Sequence, residues 1–246
     1  MGENGSQWYY RINADEKILA RAFAARITGE KKSIAIIAED GAFSKEIASE
    51  YISLFRNAGL TITMEEYIPV TETEYRPLLF RTRQSRPDAM FLVMSDTSCA
   101  ILMQQYNKSF TTIPVFSRGS CTTGLFNQIV QDTSVGENIT EAVIFSELQD
   151  PNLLAKFQKE YGQPLTGHRM AGYYAAKYVV IPALTALIES GKPITPENIR
   201  KSVDNVHAET PIGELNFDDF NQAHLDAALI TNKNGHPEML EPLSLN

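Results

Sequence analysis

Three kinds of residue in this chain have side chains suited to chemistry on a small molecule. The first is the pair Ser120 and Cys121, in RGSCTTG at residues 118–124. Either could act as a nucleophile if a base stood within hydrogen-bond reach. However, the segment is not the Gly-x-Ser-x-Gly elbow, and no histidine is near it in sequence. A hydrolase using Ser120 or Cys121 is therefore the least favoured reading. The second kind is histidine. His168, His207, His224 and His236 stand singly, without metal-ligand spacing, and are expected to be surface or capping residues. The third kind is the acid pair: Glu39-Asp40, Glu65-Glu66 and Asp218-Asp219. In a chain with 30 carboxylates such pairs are commonplace, and each is expected to be a solvated turn or strand edge. There is no glycine-rich phosphate loop of either common type. No cofactor and no metal are expected.

The elements that must position any site alternate in type. Lys32 to Phe43, KSIAIIAEDGAF, reads as a buried strand broken at Glu39-Asp40-Gly41. A helix follows, with Ile47, Tyr51, Leu54 and Phe55 on one stripe and an end at Gly59. In open parallel sheets such a strand-to-helix loop lies where ligands bind, so Phe43 is a pocket candidate. Thr61–Ile68, AMFLVMS at 89–95 and PVFS at 114–117 read as further strands. Helices are expected at 75–84, 98–109 and 124–131. Asp15 is expected to cap an earlier helix that ends at Gly29. This rhythm argues for βαβ units and a parallel sheet. After a strand at 141–146 the chain becomes helical, with helices near 151–161, 169–190 and 196–205. Pro182 should kink or split the second of these. The tail reads as strand, turn, strand and a final Asn234-Gly235 turn.

The totals limit the partners. The chain has 246 residues, with 22 Lys+Arg against 30 Asp+Glu and a net charge of −8. That balance argues against nucleic acid, whose phosphates need a basic face. Two cysteines, Cys99 and Cys121, are too few for a disulfide framework. Two unpaired buried thiols are expected, with one bridge as the alternative. No membrane span and no signal peptide are read from this chain.

Several stretches carry a resemblance. They are YYRIN at 9–13, KSIAIIAEDGAF at 32–43, FRNAG at 55–59, RPDAMFLVMS at 86–95, EAVIFS at 141–146, AGYYAAKYVVIPAL at 171–184 and PIGELNFDDFNQ at 211–222. Their order and spacing resemble the type I periplasmic solute-binding proteins, closest to the branched-chain amino-acid (Leu/Ile/Val) binding family of ABC transporters. The resemblance implies an α/β fold of two lobes that close on a small solute. One nearly complete parallel-sheet lobe would hold 12–145 and 216–246. The later, helical part of the other lobe would hold 146–212. Crossovers would fall near 10–13, 145–147 and 212–215. On that template the chain starts after the first βαβ half of the first lobe, and the helices of 150–206 would expose apolar faces that a homodimer could cover.

The resemblance also places ligand contacts. Phe43 matches an aromatic position beside the ligand. Ser95, Asp96 and Thr97 match the loop after the third strand. Arg118, Gly119 and Ser120 match the loop after the fourth, where amino-acid-binding members carry a carboxylate for the ligand ammonium. An arginine there suits a carboxylate or other anion, with an ion pair to Asp96 as the alternative. Tyr173 or Tyr174 matches a tyrosine facing the cleft from the other lobe, and one of the two is expected in the core. The implied role is non-enzymatic binding of a small polar solute, an amino acid or a carboxylate-bearing organic acid, for a transporter permease. The implied location is periplasmic or extracellular. A ligand-sensing regulatory or receptor domain of the same fold is the alternative.

Overall fold

The apolar runs and the striped helices between them build a seven-stranded sheet. In this computed structural model the described residues are 6–13, 16–29, 31–109, 113–118, 121–130, 132–137, 139–145, 148, 150–163, 165 and 167–243. By its contacts the chain divides into a unit of 16–143 with 228–243 and a unit of 1–15, 144–227 and 244–246.

The first of these units holds the sheet. Its elements are α1 (Glu16–Thr28), β1 (Ser33–Glu39), α2 (Ala42–Asn57), β2 (Thr61–Ile68), α3 (Arg76–Gln84), β3 (Ala89–Val93), α4 (Asp96–Ser109), β4 (Val115–Ser117), α5 (Gly124–Val130), β5 (Ile139–Val143), β8 (Ala227–Lys233) and β9 (His236–Leu243). The strand order is β2-β1-β3-β4-β5-β8-β9. β2 through β5 run parallel, and β8 joins β5 antiparallel. β1 is buried from Ile34 to Glu39, as a strand covered on both faces must be, whereas the edge strand β2 is only partly covered. One face of the sheet carries an aromatic cluster: Tyr51 stacks 4.4 Å from Phe91, and Phe23 meets Tyr51, Phe91 and Phe116. The other face packs Ile37, Met90, Leu92, Val115 and Ile139 against Leu79, Leu102, Tyr106 and Phe126. β8 passes to β9 through Asn234 and Gly235, both with positive φ (52° and 76°), the backbone a two-residue hairpin requires.

Cys99 and Cys121 form a disulfide, with Cα atoms 5.6 Å apart. This corrects the expectation of two unpaired thiols. Cys99 lies in the first turn of α4 and Cys121 just before α5. The parallel neighbours β3 and β4 bring those two loops together, a proximity that a spacing of 22 residues does not reveal.

The second unit is mostly helical: α6 (Pro151–Tyr161), α7 (Gly167–Tyr174), a π-helical segment (Ala175–Val180), α8 (Ile181–Glu189) and α9 (Pro196–Asp204), with a small hairpin of β6 (Ala208–Thr210) and β7 (Gly213–Leu215). Its core holds Phe145, Met170, Tyr174, Val179, Ala183, Leu215 and Leu225. Tyr10 donates to Asp204 on α9, and burial together with that bond pushes the phenol up to about 12. Residues 216–227 belong here, although the sequence placed them with the sheet. Phe217 packs edge-to-face on Tyr10 at 5.1 Å, and Gln222 pairs with Arg11.

Pro182 neither breaks nor sharply ends its helix. It falls at the start of α8, directly after the π-helical segment. The Ile181 N–H bonds to Ala176 O, five residues back. A wider turn there relieves the crowding a proline imposes on the preceding carbonyls. The continuous helix from Arg169 to Glu189 is, by length and composition only, long and apolar enough to cross a membrane. Its inner stripe of Met170, Tyr174, Val179 and Ala183 is nevertheless used in the unit's own core.

Candidate functional site

The strand order sets where a ligand can enter. The chain leaves β1 for β2 on one side and then returns past β1 to β3 on the other. At such a reversal the two loops at the carboxyl ends diverge and leave a crevice. The β1–α2 loop and the β3–α4 loop border this crevice, and the end of β4 lies next to it.

Phe43, in the first turn of α2, is 71% exposed at this edge. A large apolar ring held open to solvent at a strand-to-helix loop suits contact with a partner. Asp40 beside it pairs with Lys45. Ser95 and Thr97 are exposed and Asp96 is half-buried, all three on the β3–α4 loop and the first turn of α4. Arg118 directly follows β4, and its backbone N–H donates to Leu92 O at 2.9 Å. That bond continues the β3–β4 ladder by one residue and fixes the point from which the side chain leaves. Gly119 and Ser120 lie outside the described residues. The sheet thus brings Phe43, Ser95, Asp96, Thr97 and Arg118 to one edge.

Tyr173 and Tyr174 lie in the helical unit. Tyr174 is its core tyrosine, fully buried, ringed by Phe145, Tyr173 and Tyr178, and its hydroxyl has no hydrogen-bond partner among the described residues. Burial, and next the charge of Asp150, raise its pKa. Tyr173 is half-buried and faces Lys177, whose ammonium lies 5.2 Å from its ring centre and 4.6 Å from that of Tyr178.

Sequence reasoning missed the layer beneath the edge. Glu39, read as part of a solvated pair, is only 7% exposed. Ser95 Oγ donates to Glu39 Oε1 at 2.6 Å. On β5, Glu141 is 1% exposed, and Thr122 Oγ1 donates to its Oε2 at 2.6 Å. Thr123 donates to the Asp96 carboxylate. Ser117, opposite Glu141 in register, is buried, and its hydroxyl has no hydrogen-bond partner among the described residues. For Glu39 the available signal was its place at the end of a strand that is apolar from Ile34 to Ala38, a position that burial reaches. Among the described residues no group of three His, Cys, Asp or Glu is placed to hold a metal ion. Cys121 is in a disulfide, so it is not the free nucleophile that the hydrolase reading needed.

A parallel sheet with a switch-point edge, joined to a helical unit, is the architecture of type I periplasmic binding proteins. The chain belongs to the periplasmic binding protein family, whose model matches residues 1–236. Among solved structures it is similar to a solute-binding protein of an ABC transporter from R. palustris in complex with benzoate. That likeness has a TM-score of 0.80 at 16% identity, over 96% of this chain and 65% of that one. It is similar to a leucine-binding protein from Thermotoga maritima, with a TM-score of 0.81 at 15% identity, over 98% of this chain and 69% of that one. A Desulfitobacterium hafniense substrate-binding protein in complex with Leu matches at a TM-score of 0.70 and 18% identity, over 94% and 67%. The chain thus spans about two thirds of the length of these proteins. The three solved proteins named here are a solute-binding, a leucine-binding and a substrate-binding protein.

Proposed function

We propose that this chain captures a small solute bearing a carboxylate, with Arg118 as the group that takes the anion. The observation that carries this reading is the place of Arg118. It leaves the end of β4 beside the switch point, at an edge that also holds Phe43, Ser95, Asp96 and Thr97. A guanidinium offers a planar fork of donors that matches a carboxylate. Phe43 supplies an apolar surface for the rest of the solute. Capture of a solute for uptake, with an ABC transporter permease as partner, fits the family. A periplasmic location fits both the family and the disulfide, since disulfides persist in oxidising compartments.

A second copy of the chain is the other partner we propose. Val180, Ile181 and Ile188 are exposed along the π-helical segment and α8, and Ile194 just beyond. A two-fold pairing of identical apolar faces would cover them on both copies.

Calorimetric titration with benzoate, L-leucine and a panel of organic acids tests the ligand reading. The expected outcome is that Arg118→Ala weakens the best binder by about tenfold or more, the loss of one charge-assisted contact. A best binder that is a neutral amine, with affinity unmoved by Arg118→Ala, would sink it.

A further inference from the structure

The helical unit holds a cavity of its own. It measures about 330 Å³ and lies between α8 and α9, and every residue lining it falls within 182–207, inside that unit. One wall is aliphatic: Pro182, Ala183, Ala186 and Leu187 come from α8, and Val206 follows α9. At about 100° per residue, Ala183, Ala186 and Leu187 stand on the opposite side of α8 from Ile181 and Ile188. Pairing of two copies through those isoleucines therefore leaves the cavity open. The remaining lining is polar and includes three basic side chains. Lys192 comes just after α8, Lys201 lies in the last turn of α9, and His207 comes shortly beyond it. No Asp or Glu lines the cavity, in a chain that carries 30 of them against 22 Lys and Arg. His207 is engaged by Glu214, and Ser190 Oγ turns back to donate to Leu187 O at 2.7 Å. Lys192 and Lys201 make no ion pair among the described residues. The charged donors left for a ligand are their two ammonium groups.

We propose that this cavity is a second ligand site, for a small anion with an aliphatic tail. Cavities that hold small molecules run from about 300 to 1,000 Å³, and this one stands at the small end, which suits a single short chain. No aromatic ring lines it, so its wall offers aliphatic contact without stacking. Two unpaired ammonium groups beside an acid-free lining favour a negative headgroup and repel a positive one. Lysine meets an anion as a point charge on a flexible stem, so a carboxylate and a phosphate monoester are both served. The site shares no residue with the switch-point edge and does not depend on Arg118.

The test is calorimetric titration of octanoate, octyl phosphate and 1-octanol into the full chain, with butanoate and butyl phosphate as short homologues. At least one of the two octyl anions should bind saturably, and the tighter of them shows which headgroup is meant. 1-Octanol keeps the tail without the charge, and the short homologues keep the charge with less tail. Each should bind about tenfold or more weakly. Lys192→Ala combined with Lys201→Ala should weaken the octyl anion by about tenfold or more, whereas Arg118→Ala should move it by less than about twofold. Ala186→Trp, which fills the cavity, should abolish binding. Both lysines are exposed, so their replacement spares the core, and they carry the test if Ala186→Trp does not fold. Hydrogen exchange should slow within 182–207 when the anion is bound. Equal binding of the octyl anion and 1-octanol, or of the octyl anion and its short homologue, overturns the proposal, as does binding that survives loss of both lysines. Binding that is lost in Arg118→Ala and kept without the lysines puts the anion at the sheet edge, which overturns this site and supports the proposed function. Lysine-dependent binding in a chain whose other solutes ignore Arg118 does the reverse. No binding by either octyl anion overturns the site outright.

Discussion

Asp218 shows what one carboxylate can organise. Its Oδ1 accepts from the N–H groups of Phe220 (2.8 Å) and Gln222 (2.9 Å), and its Oδ2 lies 2.9 Å from His224 Nε2. Burial alone would raise its pKa, but these hydrogen bonds and the imidazole outweigh it and hold the group below its ordinary value. A depressed carboxylate contributes stability that is present above its unfolded pKa, about 3.9, and is lost as pH falls through the folded value. Asp218→Ala should cost about 1 kcal/mol at neutral pH. It should also flatten the fall in melting temperature on acidification below about pH 4. An unchanged acid profile in the variant would show that other carboxylates govern it. At this scale the sequence was least informative. Asp218, Glu39 and Asp40 all look alike as acids in pairs, yet Glu39 is buried and accepts from Ser95, 56 residues later in the chain. Phe43 is read from the local strand–loop–helix pattern and Arg118 only from the resemblance; the first lies in the first turn of α2 and the second directly after β4.

The elements themselves were largely legible. Apolar runs of strand length and stripes of helical spacing specify β1 to β4 and α2 to α5 within a residue or two. The strand expected at 141–146 is found at Ile139–Val143, because the parallel ladder with β4 selects the earlier register. What the pattern could not supply is how elements are tied together. The disulfide joins α4 to the segment preceding α5, beside the loop that gives Thr122 to Glu141 and Thr123 to Asp96. It closes a loop of 22 residues, for which chain entropy suggests about 3 kcal/mol. The Cys99→Ser/Cys121→Ser double variant should lose roughly that much in urea denaturation read by circular dichroism. A midpoint equal to that of the oxidised chain would mean the bridge adds nothing to stability.

For the whole molecule, the sequence reading puts crossings near 10–13, 145–147 and 212–215, whereas the contacts divide the chain at 15/16, 143/144 and 227/228. Residues 216–227 alternate like strand and turn, which suited the sheet. Their apolar members Phe217, Ala223 and Leu225 instead fill the helical unit's core, a choice made by packing that no local pattern records. The exposed Val180, Ile181 and Ile188 belong to the same level of organisation. Sedimentation velocity across micromolar concentrations should show reversible dimerisation. Ile181→Glu with Ile188→Glu should leave a monomer, since charges on a paired apolar face have no partner. A monodisperse unmodified monomer throughout that range would rule the pairing out.

The π-helical segment bears on how the chain tolerates changes of length. Buried residues along this helix fall at Met170, Tyr174, Val179, Ala183 and Leu187, so the steps are four, five, four and four. The single long step spans Ala175–Val180. One residue beyond an ordinary turn is stored there, and both flanks still point the same way. Removing a residue anywhere else in the helix would swing everything downstream by about 100° and take the stripe out of the core. Removing one between 175 and 180 would let that turn tighten to the ordinary pitch with the stripe intact. In aligned relatives, this is the place along the helix where a gap costs the fold least.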